Sequence, residues 1–588
     1  MVKNKAKAKD FTGFLIGLAI IVLVNLISSA IFFRLDLTSE NRYSISNATK
    51  EVLSNVEEEL LVTVYLEGDF PAAFKRLRNE TREMLEEFQN YSGGKIDYIF
   101  VNPSEHPDFK ERDKAYKNLY DKGLRPTDLN ITDDDGVSKK IVWPGAIMTY
   151  QEKEVAIQLL KSSFGAHPQQ VLNQSIESLE YELAFGIKKL ITPFMHRIAF
   201  IEGHGELNKF ETAAIIGSLR EFYDVERVKI DGNINSLSQR IYINKDSTEA
   251  KVSNYYDAIV IAEPDSTFSE KDKFIIDQYI MHGGKAIWLI NQVEANMDSL
   301  KQQNNYTFLA LGKELNLDDQ LFRYGVRINK DLIQDLQAAP IPVVSGQFGN
   351  QSQTKLFPWL FFPLLYSKDN HPINKNVDVV KAEFANSIDP VGNDGLKKTV
   401  VLSTSKRTKI VKAPTRVSLN MLSYEPPVKQ FKKKNIPLGI LVEGEFESVF
   451  ANRMPPNIKN AGEIQFRAKS DSVAQLFISD GSIIRNRYNP KTNEYYEVGF
   501  DQFTKQIYGN KSFFMNAINY LVDDTGLILS NNKSFKIRLL DVPLIEENRL
   551  FIQIINTALP ILLILLIGLS VFYIRKKKYT GYQTSKKE

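Results

Sequence analysis

Residues Phe551–Ile574 read FIQIINTALPILLILLIGLSVFYI, a run with no formal charge in which only Gln553, Asn556, Thr557 and Ser570 are polar. A helix rises about 1.5 Å per residue, so about 20 apolar residues cross a hydrocarbon layer of roughly 30 Å. The pattern therefore predicts a transmembrane helix over 550–574. A second uncharged run covers 11–33 and predicts another. Ser28-Ser29-Ala30 has the small-residue character of a signal-peptidase site, but the run exceeds the 7–15 residues of an ordinary signal core. It reads as an uncleaved anchor.

Between the spans the polar linker TSENRYSISN (38–47) leads to Ser46 or Asn47 as the cap of a short helix ending near Val56. LLVTVYL (60–66) has the β-branched content of a strand. Apolar positions 74, 77, 84, 85 and 88 mark one face of a helix that Gly93-Gly94 ends, and KIDYIFV (95–101) alternates as a second strand. Strand, helix and strand of these lengths imply a parallel pair. Asp133 to Gly136 reads as a turn, then 140–150 and 152–159 as paired strands. The segment 34–168 is thus expected to be a small α/β domain, thioredoxin-like in topology but without a redox motif. Leu172, Ile176, Leu179, Leu183, Ile187 and Leu190 put one apolar stripe on a connecting helix over 169–192, closed by Pro193. That helix either packs across two domains or offers about three heptads to a partner.

The clearest alternation lies in 193–335. Strands are expected at 197–201, 225–230, 256–262 and 285–290, with helices over 209–222 and from Ser269 to the Gly283-Gly284 stop. Ser269 with Asp272 three residues later is a helix-start signature. The continuous apolar runs YDAIVIA and KAIWLI suit strands buried on both faces of a parallel sheet. From 336 to 430 the prolines at 340, 342, 358, 363, 372 and 390 break the pattern, and an irregular insertion of loops and short strands is expected. Residues 431–545 are expected to complete the sheet with strands at 437–442 and 473–478, a helix over 511–522 and a last strand at 534–540.

Charge orients this arrangement. Lys3, Lys5, Lys7 and Lys9 precede the first span, and Arg575-Lys576-Lys577-Lys578 follow the last. Basic clusters stay on the cytoplasmic side, so the tips 1–10 and 575–588 are expected in the cytoplasm. Residues 34–549 are then expected outside the cytoplasm. The net charge of +3 comes from these tips, which carry +3 and +5, leaving about −5 for the rest and no field that would attract nucleic acid. With no cysteine in the chain, disulfides and thiol chemistry are excluded.

The candidate chemistry is sparse. Gly203-His204-Gly205-Glu206 follows a buried strand, where ligands of open α/β sheets sit. His204 and Glu206, with Glu263, Asp265 and Asn291 after neighbouring strands, are candidates to line one ligand or metal pocket. The alternative is that the glycines shape a tight turn and His204 caps a helix. The six histidines show no metal-ligand spacing, and no catalytic residues or cofactor are assigned. No G-x-x-x-x-G-K-[ST] or G-x-S-x-G is present, so neither P-loop nucleotide hydrolysis nor a hydrolase elbow is expected.

The order of a basic tip, an anchor, TSENRYSIS, RIAFIEGHGE, YDAIVIAEP, FIIDQYIMHGGKAIWLI, KSFFMNAINYLVDD and a terminal span with RKKK resembles the GldG family. These are gliding-motility-associated ABC transporter components of Bacteroidetes, whose outer part is the ABC-transporter auxiliary domain. The resemblance covers nearly the whole chain and supplies no catalytic residues. It implies a non-enzymatic accessory or substrate-binding subunit working with a separate GldF-like permease and a separate GldA-like ATPase. A structural scaffold for envelope motility or secretion machinery, or a hydrolase using the G-H-G-E loop, are the other readings of the same residues. The fold class expected is α/β, with a small thioredoxin-like domain and a larger mostly parallel-sheet domain held by two transmembrane helices.

Overall fold

The computed structural model describes residues 13–23, 45–133, 136–161, 168–192, 195–242, 250–302, 306–348, 351–366, 371–392, 395–462, 464–489, 494–523, 525–532 and 548–580. The chain divides into two units, Met1–Lys533 and Ser534–Glu588.

The larger unit begins, past a short helix at Gly13–Leu23, with an α/β domain. Helix α1 (Asn47–Ser54) starts where Ser46 Oγ accepts the Thr49 N–H at 3.1 Å. Strand β1 (Leu60–Val64), helix α2 (Ala72–Tyr91) and strand β2 (Ile96–Phe100) form the expected unit, with the strands parallel. Helix α3 (Phe109–Asp121) follows, then a separate hairpin of β3 (Thr127–Asp133) and β4 (Gly136–Val142). The tip of that hairpin, where a turn was expected, lies outside the described residues. Strands β5 (Gly145–Tyr150) and β6 (Lys153–Gln158) return to the sheet, whose order is β2-β1-β5-β6 with β5 and β6 antiparallel to their neighbours. The single strand expected at 140–150 is therefore two. Pro144, which has no N–H to give a ladder, separates β4 from β5.

Helix α4 (Pro168–Ile191) closes this domain and reaches beyond it. Leu172, Ile176, Leu179 and Leu183 pack with Val62, Phe88 and Ile157 in the first core. Buried Glu180 ties α1 down, accepting from Ser46 N at 2.6 Å and Thr49 Oγ1 at 2.8 Å. On its other side Tyr181 Oη accepts from Asn519 Nδ2 at 2.8 Å, and Asn519 Oδ1 accepts from Tyr223 Oη at 2.6 Å. The helix thus joins the first core to residues Tyr223 and Asn519 of the following segment.

The central sheet is built by β7 (Arg197–Glu202), β8 (Asp224–Lys229), β9 (Ala258–Ala262) and β10 (Lys285–Leu289). The intervening helices are α5 (Ala213–Arg220) and α6 (Glu270–Met281), the latter capped by Ser269 as its sequence implied. Helix α5 starts later than the expected 209. Asn208 Oδ1 accepts from Phe210 N and Glu211 N at 2.8 and 3.2 Å and holds a turn there.

The segment expected to be irregular holds a long two-stranded ribbon, β11 (Ala338–Phe348) with β12 (Gln351–Leu365), and a sheet strand, β13 (Lys397–Ser403). The prolines mislead because of where they fall. Pro340 faces Pro358, and Pro342 lies two residues on, so the missing N–H groups point away from the partner strand. Strands β14 (Pro437–Glu447) and β15 (Lys469–Ile478) complete a seven-stranded sheet of order β13-β14-β15-β10-β9-β7-β8. Five strands, β15 to β8 in that order, are parallel, and β14 runs against β15. Alternate residues feed two cores: Ile259, Ile261 and Trp288 pack toward α6, while Val260, Ile287 and Leu289 pack toward α5 and helix α7 (Asn510–Val522).

In the smaller unit the described residues form one helix, α8 (Arg549–Thr580). Its segment Phe551–Lys577 is apolar and, at 27 residues or about 40 Å, long enough to cross a membrane. The expected second span has only 13–23 described, which is helical and apolar but shorter than a span, so the two-anchor expectation stands on sequence alone. The strand expected at 534–540, and Pro193, also lie outside the described residues.

Candidate functional site

The chain leaves β7 toward β8 on one side and returns to β9 on the other. That reversal is the switch point where doubly wound sheets hold ligands. Two loops meet there, 203–207 after β7 and 263–266 after β9. Asp265 N and Ser266 N donate to His204 O at 3.0 and 2.9 Å, and Leu207 N donates to Ala262 O at 2.9 Å. Gly205 has φ +75°, and a Cβ on it would lie 1.7 Å from Asp265 Oδ1, so only glycine allows this closure.

His204 is built into the closure. It is 4 % exposed and stacks on Phe268 with ring centroids 3.7 Å apart. Its Nδ1 lies 3.1 Å from Glu206 Oε1 and its Nε2 3.3 Å from Asp272 Oδ2 in the first turn of α6. Burial opposes a charge on this imidazole, but the two carboxylates outweigh it and raise its pKa. Both ring nitrogens are occupied, and His204 caps no helix. Glu206 Oε2 in turn accepts the His204 N–H at 2.7 Å. Among the described residues, no cluster of three or more His, Asp or Glu side chains is placed to hold a metal ion.

The other two sequence candidates lie on the far side of β9, beside an open cleft. Glu263 follows β9 with φ +53°, and Gly481 makes room for it: a Cβ there would lie 2.3 Å from the Glu263 Cβ. Glu263 accepts from Arg485 Nη2 at 2.9 Å; burial raises its pKa against the pull of Arg485 and Lys313. Asn291 is buried beneath, its Oδ1 accepting from Gly481 N at 2.7 Å. Asp480 lies next to it and accepts from Glu383 N at 2.7 Å and from Ser482 N and Oγ at 2.9 and 2.8 Å. Burial, with Glu263 nearby, pushes the Asp480 carboxyl up to about 7. The structure therefore does not bring the five candidates into one pocket: His204, Glu206 and Asp265 form the closed loop pair, Glu263 lines the cleft, and Asn291 supports it.

The cleft encloses about 570 Å³. Its polar lining includes a chain of ion pairs, with Lys381 Nζ 2.9 Å from Glu383 and 3.5 Å from Asp501, and Arg487 3.7 Å from Glu383. Burial pushes the Glu383 carboxyl up, but Lys381, Arg487 and Arg485 together hold it below its usual range. Tyr306, Tyr488 and Phe503 add aromatic walls. Sequence reasoning missed Lys381, Glu383, Arg485 and Arg487 because they come from separate segments after different strands. The one available signal was Ser479-Asp480-Gly481, a polar turn at the carboxyl end of an apolar strand. The cleft has the volume of a small-molecule site.

A family model described as an ABC-type uncharacterized transport system (ABC_transp_aux) matches residues 196–517, over half of the chain. The chain belongs to this family. The match takes in the whole central sheet, both loops at the switch point and the cleft. A second model, for a domain of unknown function (DUF7088), matches residues 39–149 in the first α/β domain. An uncharacterized protein of Borreliella burgdorferi is 23% identical over 458 residues, spanning 77% of this chain and 81% of that protein. A solved structure titled mmIFT52 N-terminal domain covers 56% of this chain and 97% of its own, at 12% identity and a TM-score of 0.28. Membership of the ABC_transp_aux family is consistent with a non-enzymatic, transport-associated subunit, and the apolar α8 with membrane association.

Proposed function

We propose that this chain is the GldG-like accessory subunit of an ABC transporter associated with gliding motility, working with a GldF-like permease and a GldA-like ATPase. The observation that carries this reading is one polypeptide combining the transport-family sheet of 196–517 with a membrane-length helix at 551–577. A chain without a phosphate-binding loop needs an ATPase elsewhere, and a membrane helix offers the contact through which to meet a permease. In this reading both basic tips are cytoplasmic, 34–549 is periplasmic on the inner membrane, and the first span is a second anchor. The strand order β2-β1-β5-β6 supports a thioredoxin-like reading of the first domain.

The experiment is affinity purification of the tagged full chain from native membranes. A permease and an ATPase recovered in comparable amounts are expected. Recovery with envelope motor or secretion proteins and no transporter component would contradict the proposal and support a docking scaffold. The β11–β12 ribbon, which exposes Val344 and Leu356, favours that second reading.

A further inference from the structure

We infer that the cleft beside Glu263 binds an uncharged, hydroxyl-rich ring ligand, a neutral oligosaccharide. The inference concerns the cleft alone and does not depend on the transporter partners. A volume of about 570 Å³ falls within the roughly 300–1,000 Å³ of small-molecule sites.

Backbone strain gathers here. Glu263, Tyr306 and Phe384 all line the cleft with φ between +47° and +53°. Large side chains in that region are sparsely populated and tend to collect at ligand sites.

The charges select the ligand class. Five carboxylates and three cations line the cleft, so an anion meets an excess of like charge. The cations are already matched, Arg485 with Glu263 at 2.9 Å and Lys381 with Glu383 at 2.9 Å. A charged ligand would have to split such a pair and leave one half-buried charge uncompensated. Hydroxyl groups, which donate and accept, can bridge the pairs without splitting them.

The aromatic walls supply the apolar half. Tyr306 is 54% and Phe503 42% exposed. Flat rings of this kind pack against the C–H faces of saccharide rings while polar groups take the hydroxyls.

The test uses the full chain in a detergent without a sugar headgroup, screened against an array of neutral and acidic oligosaccharides. Hits such as maltotriose, cellotriose or chitotriose are then titrated by calorimetry. Saturable binding of a neutral oligosaccharide is expected, weakened at least about tenfold in Tyr306→Ala and Phe503→Ala, both at exposed positions, with unchanged thermal unfolding. No saturable binding across the neutral array would overturn the inference. So would preference for acidic glycans or for displayed peptides competing at this cleft, or affinity unaffected by both substitutions.

Discussion

At the scale of single residues, the loop 203–206 and the carboxylate Asp480 make the sharpest demands. His204→Ala should leave Glu206 and Asp272 without their shared partner in a buried setting and cost about 2–4 kcal/mol in denaturant unfolding. Gly205→Ala should cost at least as much, since its Cβ would fall 1.7 Å from Asp265 Oδ1. A wild-type midpoint in either variant would refute the closure. Asp480 carries a pH signature. Its folded pKa is about 7, whereas an unfolded aspartate titrates near 3.9. Between those values the folded state holds a proton that the unfolded state lacks, so stability falls as pH rises, by at most about 1.4 kcal/mol per unit. His204, with its raised pKa, adds a decline of the same sign as pH passes through its folded value. Asp480→Asn should therefore flatten the loss of stability between pH 5 and 7 without abolishing it, and an unaltered slope would count against the buried assignment. The two glycines were readable in sequence as a tight loop. The left-handed Glu263 was not, because it depends on Gly481, more than two hundred residues away.

Elements were legible where one environment acts along their whole length. Helix α4 keeps a constant apolar stripe, and β9 and β10 are buried on both faces, so their patterns are unbroken. The β11–β12 ribbon was hidden because its fit depends on which edge each N–H faces, a property of pairing and not of composition. Pro340→Ala and Pro342→Ala should accordingly change stability by no more than about 1 kcal/mol, whereas Ile341→Pro, whose N–H faces β12, should cost about 3 kcal/mol. Equal effects at 341 and 342 would show that the register is wrong. Across α4, Asn519→Ala should cost about 2–3 kcal/mol, because it strands the buried hydroxyls of Tyr181 and Tyr223 together. A change below 0.5 kcal/mol, about the scatter of surface substitutions, would mean that α4 does not couple the two cores there.

On the scale of the whole molecule, the sheet class and the terminal helix followed from periodicity and length, while the cleft did not. Its residues are contributed after β9, β10 and β15 and by the ribbon, and no local window of sequence contains more than a few of them. The proposed topology gives a direct expectation for the chain in cells. A reporter fused after Glu588 should report cytoplasm, and one inserted between β3 and β4 should report periplasm. Identical locations for the two would rule out that topology. The central claim is that this polypeptide is a non-catalytic transport subunit. The most direct measurement is ATP hydrolysis by the purified full chain, alone and in the complex recovered from native membranes. The account predicts background turnover for the chain alone, and turnover in the complex that disappears when the phosphate-binding lysine of the partner ATPase is replaced. Hydrolysis by the isolated chain that a substitution within it abolishes would contradict the account.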